Sequence, residues 1–321
     1  MRKIKIDFVD FWVGFDKVHN SIYDFLSKYY DVEICSNPDY LFFSCFGYDF
    51  LQYDCIKIFF TGENVRPDFN LCDYAIGFDY ITFGDRYMRW PLYMTLQYRR
   101  DYLEAKTKHI TYAGKKPSDY KFCNFIYSNS LAISNRDELF EKLCEYKKVD
   151  SGGKHKNNIG GRVEDKFEFQ KKYKFSIAYE NSSTPGYTTE KIVQALAAGT
   201  IPIYWGNPEI NKEINSGCFI NAHMYRSITD LVAKIIEVDK DDSLYMQMLR
   251  TPAFTETHVI TYNDENLLKW FENIFSQELE DASRLTHYMW EKRISNRYRL
   301  VKKVISSRLL RKLLRINLVD Y

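Results

Sequence analysis

The stretch YENSSTPGYTTEKIVQALAAGTIPIYWG, residues 179–206, decides how the chain is read. It follows KFSIAY (residues 174–179), an aromatic and β-branched run that suits a buried strand. Thr188 or Thr189 is placed to cap a helix whose apolar positions are Ile192, Val193, Leu196 and Ala197, and Gly199 ends it. IPIYW (residues 201–205) is a second apolar strand, so the whole forms a β-loop-α-β unit of the kind that builds parallel sheets. Ligands of such sheets sit at the carboxyl ends of the strands, facing helix N-termini where unpaired N–H groups favour anions. Glu180, Asn181, Tyr187, Glu190 and Lys191 lie at that edge. A lysine in a first helical turn opposes the helix dipole, and a bound phosphate would remove the conflict.

The remainder of the chain alternates in the same way. Short strands are expected at residues 4–9, 31–35, 40–45 and 55–60, with helical spacing at residues 21–30, which argues for an α/β domain with a mostly parallel sheet. The last of these strands runs directly into Thr61-Gly62-Glu63-Asn64 and then Pro67-Asp68-Phe69-Asn70, so Glu63 also stands at a strand's carboxyl end. GKKPSD (residues 114–119) is polar and aperiodic and marks a linker before a new strand at residues 122–127. Ser134 or Asn135 then opens a helix with Arg136 in its first turn. Asn207 with Pro208 suggests one further helix start, and Ser227 with Asp230 another. The expected domains are residues 1–115, 116–275 and a helical tail at 276–321.

The motif at residues 179–206 resembles the donor-binding motif of glycosyltransferase family ten, the α-1,3/4-fucosyltransferases. The match runs through Tyr179-Glu180-Asn181, Tyr187-Thr188-Thr189-Glu190-Lys191 and Ile201-Pro202-Ile203-Tyr204-Trp205-Gly206 without a gap. It implies a GT-B fold, two Rossmann-like α/β domains facing a cleft, the first binding the acceptor and the second GDP-fucose. It implies Glu63 as the catalytic base, matched through its Gly-Glu-Asn segment. Glu190 is then the carboxylate that contacts the donor sugar and steadies positive charge on its ring. Asn181 and Tyr187 hold the nucleotide and its phosphates, and Arg136 and Lys191 are the cations that meet the diphosphate. Without the resemblance Glu63 reads as a turn residue and Arg136 as a solvated helix residue. The donor implied is GDP-β-L-fucose, with inversion at the anomeric carbon. Inversion agrees with the residue inventory, because a single displacement needs one base and no second protein nucleophile.

Composition bounds these expectations. Of 321 residues 45% are hydrophobic and 17% aromatic, enough for two cores. The formal charge of +2 conceals an asymmetry, since residues 292–315, from Lys292 to Arg315, carry ten Lys/Arg and no acid. Val301, Ile305, Leu309, Leu313 and Ile316 fall along one side of a helix there, a pattern suited to an anionic membrane surface; a packed terminal helix is the plainer alternative. Asp85, Arg86 and Arg89 could form an ion cluster, while Asp239-Lys240-Asp241-Asp242 reads as a solvated loop rather than a metal-binding DxD. The six histidines lack metal-ligand spacing, so no metal cofactor is expected beyond a stimulatory role. Nucleic acid is not an expected partner, because the basic charge lacks a recognition motif. Seven scattered cysteines without a CxxC pair suggest buried free thiols in a reducing compartment. The amino-terminal stretch MRKIKIDFVDFW is interrupted by Asp7 and Asp10 and so lacks a signal peptide's apolar core. The expected location is cytoplasmic, peripheral at the inner face of the cytoplasmic membrane of a bacterium. The expected activity is fucosyl transfer to the 3- or 4-hydroxyl of a GlcNAc or Glc residue in a surface glycan such as a lipopolysaccharide. Two alternatives stay open: a GT-B enzyme using another nucleotide sugar, and a catalytically silent nucleotide-sugar or glycan-binding protein.

Overall fold

A computed structural model describes residues 1–130, 134–286 and 289–307. The chain divides into two units, one of residues 1–77, 81–88 and 268 onward, the other of residues 78–80 and 89–267. In the first unit the elements are β1 (Lys3–Val9), α1 (Ser21–Leu26), β2 (Asp31–Ile34), β3 (Tyr40–Phe43), β4 (Ile56–Phe60), β5 (Tyr74–Gly77) and β6 (Tyr87–Arg89). They form a sheet in the order β2-β1-β3-β4-β5-β6, parallel from β2 through β5. These central strands bury nearly every side chain, as parallel strands covered on both faces must.

The second unit contains α2 (Arg99–Thr111), β7 (Lys121–Phe125), α3 (Arg136–Tyr146), β8 (Val149–Ser151), α4 (Lys166–Gln170), β9 (Tyr173–Tyr179), α5 (Glu190–Ala197), β10 (Ile201–Trp205) and β11 (Ile220–Asn221). Four helices follow, α6 (Ile228–Lys240), α7 (Asp242–Arg250), α8 (Glu256–Thr261) and α9 (Asp264–Phe275), the last dividing between the units at Leu267. Its sheet runs β11-β10-β9-β7-β8, all parallel. Counted along its own unit, each sheet therefore has the order 2-1-3-4-5, to which the first adds β6 as an edge. In this winding the connections leave the first strand in one direction and return past it in the other. The reversal opens a crevice outside the carboxyl ends of strands one and three. Those strands are β1 and β3 in the first unit, β7 and β9 in the second.

These units cut the chain differently from the boundaries expected at residues 115 and 275. Residues 89–115 go with the second unit because α2 packs on α5: Gln194 donates to Asp101 at 2.9 Å, Tyr112 to the Ala197 carbonyl at 3.0 Å, and Lys115 to the Gly199 carbonyl at 2.7 Å. The end of α9 goes with the first unit, where the Phe275 ring meets Tyr40 edge-on at 4.6 Å and Phe271 lies 6.1 Å from Phe25. After α10 (Leu279–Ala282), helix α11 (Met289–Ser306) packs Ile294 and Tyr298 on that unit's core. Tyr298 donates to Asp49 at 2.7 Å, and Arg299 pairs with Asp54 at 2.6 Å. On the expected apolar stripe Val301 and Ile305 are exposed, whereas Leu309, Leu313, Ile316 and the end of the basic run at Arg315 lie outside the described residues. Among the described residues no helix is long and apolar enough to cross a membrane.

Several local expectations are corrected by packing. Asn207 does not start an α-helix; its side chain bridges Gly186, Thr188 and Glu213, and only a 3-10 turn, Ile210–Lys212, follows. The run from Asp239 is no solvated loop: Asp239 is buried between Lys147 at 2.5 Å and Lys174 at 2.8 Å, and Asp241 caps α7. Asp85, Arg86 and Arg89 do not cluster, because each has its own partner: Asp85 pairs with Arg284, Arg86 serves three backbone carbonyls, and Arg89 pairs with Glu213. All seven cysteines are free, but only Cys72, Cys123 and Cys218 are buried; the others lie on loops or an exposed helix face rather than in the cores.

Candidate active site

At the second unit's switch point, the loops after β7 and β9 and the first turn of α5 enclose a cleft of about 170 Å³. Tyr127, Ser128 and Asn129 line it from β7, Asn181 from β9, and Glu190 and Lys191 from α5, with Lys166 and Gln170 from α4. Its floor is fixed by Tyr127, whose hydroxyl donates to the carbonyl of Ile177 at 3.0 Å and accepts from the Tyr179 amide at 2.6 Å. The β7 and β9 ends are thereby held at one separation.

Lys191 approaches the cleft with its charge secured from behind. Glu180, fully buried, accepts from Lys191 Nζ at 2.9 Å, from the Thr189 amide at 2.8 Å and from the Thr189 hydroxyl at 2.6 Å. Thr189 occupies the N-cap position of α5 but spends its hydroxyl on Glu180, so it does not cap the helix with its side chain. Burial works against the lysine charge, yet Glu180 and Glu190 raise its pKa above the ordinary lysine value. Burial likewise opposes charge on Glu190, but Lys191 and Lys166 hold its carboxyl below the usual range, so it is ionised at neutral pH. Lys166 Nζ donates to Gln194 at 2.7 Å, and burial lowers its pKa. The dipole conflict expected at Lys191 is thus already met by two carboxylates.

Arg136, only 1% exposed, is no solvated helix residue. Its guanidinium lies 4.2 Å over the Tyr127 ring, donates to the Asn129 carbonyl and reaches the Asn181 side-chain oxygen at 3.5 Å. It therefore stands behind three lining residues rather than lining the cleft itself. Tyr187 is also outside the lining; its ring is buried edge-on to Phe78 at 5.2 Å. The loop carrying it is pinned by Glu213, which accepts from Arg89 at 2.6 Å, Thr188 at 3.1 Å and Asn207 at 2.9 Å, while Arg89 also donates to the Gly186 carbonyl. Glu63 belongs to the first unit, exposed on the turn after β4, its amide donating to the Thr61 hydroxyl at 3.1 Å. Five of the residues now in view were not singled out from sequence as site residues: Tyr127, Ser128, Asn129, Lys166 and Gln170; Glu180 was placed at the ligand edge, but not as the carboxylate behind Lys191. The polar Ser128-Asn129-Ser130 directly after an apolar strand was the available signal for two of them. Among the described residues no group of His, Cys, Asp and Glu side chains is arranged to hold a metal ion.

Two parallel α/β sheets, with an anion-suited cleft at a strand switch point, define the GT-B class of glycosyltransferase architecture, and a solved alpha1,3-fucosyltransferase with GDP-fucose superposes with a TM-score of 0.74 at 27% identity, covering 87% of this chain and 92% of that one. Residues 6–96 match the model for the alpha-(1,3)-fucosyltransferase FucT N-terminal domain, and residues 116–295 match that for glycosyltransferase family 10 (fucosyltransferase) C-term. The chain belongs to glycosyltransferase family 10. It is 33% identical over 281 residues to alpha-(1,3)-fucosyltransferase FucT of Helicobacter pylori, covering 74% of this chain and 58% of that one. It is 28% identical over 249 residues to putative fucosyltransferase R654 of Acanthamoeba polyphaga mimivirus, covering 70% and 38%. The matched region thus spans less than two thirds of either relative's length.

Proposed function

We propose that this protein is an inverting α-1,3/4-fucosyltransferase that moves L-fucose from GDP-β-L-fucose to the 3- or 4-hydroxyl of a GlcNAc or Glc residue in a bacterial surface glycan. The acceptor oxygen attacks the fucose anomeric carbon, the bond from that carbon to the β-phosphate oxygen breaks, and GDP leaves. The acceptor's proton passes to Glu63, whose exposed carboxylate accepts it directly. Lys191, backed by Glu180, faces the departing diphosphate, and Arg136 fixes Asn129 and Asn181 around the nucleotide. Tyr187, buried against Phe78 outside the cleft lining, contributes by holding the loop between Asn181 and Glu190 in place. Ionised Glu190 steadies the positive charge that develops on the sugar ring as the leaving group departs. Lys191 meets the diphosphate charge from the cleft lining while Arg136 supports it from behind, so a divalent ion is at most stimulatory.

The observation that carries this reading is the cleft itself, which brings Asn181, Glu190 and Lys191 together at one switch point. Membrane association is a further part of the proposal. Leu300, Val301 and Ile305 of α11 are exposed within the basic run that begins at Lys292, with Trp290 exposed two residues before it, and an anionic cytoplasmic membrane surface would cover them.

GDP release tests the activity. With lactose or N-acetyllactosamine as acceptor, GDP-fucose is turned over and GDP-mannose is not. Equal turnover of both donors, or none of fucose across a panel of such acceptors, contradicts the proposal.

A further inference from the structure

The second unit's switch point is lined by charge and amides. The first unit has the same strand order, and the equivalent place lies at the ends of β1 and β3. There the side chains are aromatic. Phe11, Trp12 and Phe15 follow β1, and Phe46 and Tyr48 follow β3. Phe11 and Phe15 stack at 4.1 Å, Trp12 stands edge-on to Phe15 at 5.0 Å and to Phe46 at 6.5 Å, and Phe8 roots the group in the core. Trp12 is 48% exposed and Phe46 51%, a costly way to leave large rings in water unless something covers them.

The rings are held in place by the backbone. Trp12 begins a tight turn in which the Phe15 amide donates to the Trp12 carbonyl at 3.1 Å, with Gly14 supplying φ of 85°. Asp10 has φ of 60°, a conformation that strains a non-glycine residue, and its carboxylate accepts from the amides of Asp49 and Phe50 at 2.9 and 2.8 Å. Its carbonyl accepts from the Phe46 amide at 3.0 Å. Gly47 leaves room for this carboxylate, since a Cβ there would sit 2.3 Å from its oxygen. One strained residue thus ties the β3 loop to the end of β1 and sets Phe46 beside Trp12.

The group adjoins the turn that carries Glu63. Cys45 Sγ, one residue before Phe46, lies 3.3 Å from the Thr61 hydroxyl that accepts from the Glu63 amide. The rings and that carboxylate's turn therefore lie at the same carboxyl edge of the sheet. The ring faces carry negative charge, and the axial C–H bonds on one face of a pyranose are both apolar and partially positive.

We propose that Trp12 and Phe46 form a stacking platform for a pyranose ring of the acceptor glycan, and that this platform selects the acceptor. The inference rests on the fucosyltransferase reading above, and its test separates the two. In steady-state GDP release, Trp12→Ala raises the acceptor KM about tenfold, while the KM for GDP-fucose and the dissociation constant for GDP stay at wild-type values. Trp12→Phe, which keeps a ring, restores most of the acceptor affinity, and Phe46→Ala raises the acceptor KM by itself. Thermal unfolding at the wild-type midpoint confirms that each variant's first unit is folded, and the GDP dissociation constant confirms the second. An unchanged acceptor KM in both alanine variants, alongside active wild type, overturns the platform and leaves the activity standing. No fucose turnover by wild type with intact GDP binding overturns the activity and the platform with it.

Discussion

The two switch points make an instructive pair. Both units wind their strands in the order 2-1-3-4-5, and both end their first and third strands beside a crevice. The second unit fills that crevice with the amide of Asn181 and the partly buried, mutually compensated charges of Glu190, Lys191 and Lys166. The first surrounds it with Trp12, Phe46 and Tyr48, open to water. An identical backbone plan thus carries opposite chemistry. A nucleotide diphosphate needs fixed charge shielded from water, where an ion pair acts strongly; a sugar with few charged groups is held by shape and apolar contact. The contrast teaches that the winding fixes where a ligand goes and the loop residues fix which ligand.

The sharpest way to break the contrast is to remove charge from one side. Lys191→Ala should lower turnover by about 10² to 10³-fold, the usual cost of losing one preorganised electrostatic group. Affinity for GDP should fall with it, while the acceptor KM stays at the wild-type value, the mirror image of the Trp12 variants. Calorimetry should also show a loss of stability of about 3 kcal/mol, because Glu180 is left buried with its charge unpaired. An acceptor KM that moves with the GDP affinity would show that the two crevices are not separate in function.

Acid provides a smaller effect of the same kind. His258 is almost fully buried beside Glu213 and Tyr93, and burial pushes its pKa down to about 4 despite the attraction of Glu213. The unfolded chain takes up this proton near the ordinary value of 6.5, so between 6.5 and about 4 the unfolded state holds more protons. Stability of the second unit is therefore lost as pH falls through that window, by up to about 3 kcal/mol. In denaturant titrations His258→Phe should flatten this limb. An unchanged slope would place the acid sensitivity elsewhere.

How much of this was readable beforehand follows from the range of the interactions. The β9-loop-α5-β10 unit was legible because strand, cap position and Gly199 are local signals within 28 residues of sequence. The alternation of strands and helices likewise exposed both parallel sheets. Glu213 was not legible, since its meaning lies in Arg89, 124 residues away, and in Tyr80 and Asn207. Asp239 looked solvated because its neighbours in sequence are charged, whereas its partners Lys147 and Lys174 come from other elements. Lys166 enters the cleft from a five-residue helix that has no motif of its own. The motif marked half of the cleft, and tertiary packing supplied the rest.

The central claim is a division of labour, with the donor held in the second unit and the proton removed by Glu63 in the first. Glu63→Gln tests it most directly, since the side chain keeps its shape and loses only its basicity. The dissociation constant for GDP should match wild type, while acceptor-dependent release of GDP from GDP-fucose falls by about 10³-fold or more. Release at close to the wild-type rate would contradict the account and assign the base elsewhere.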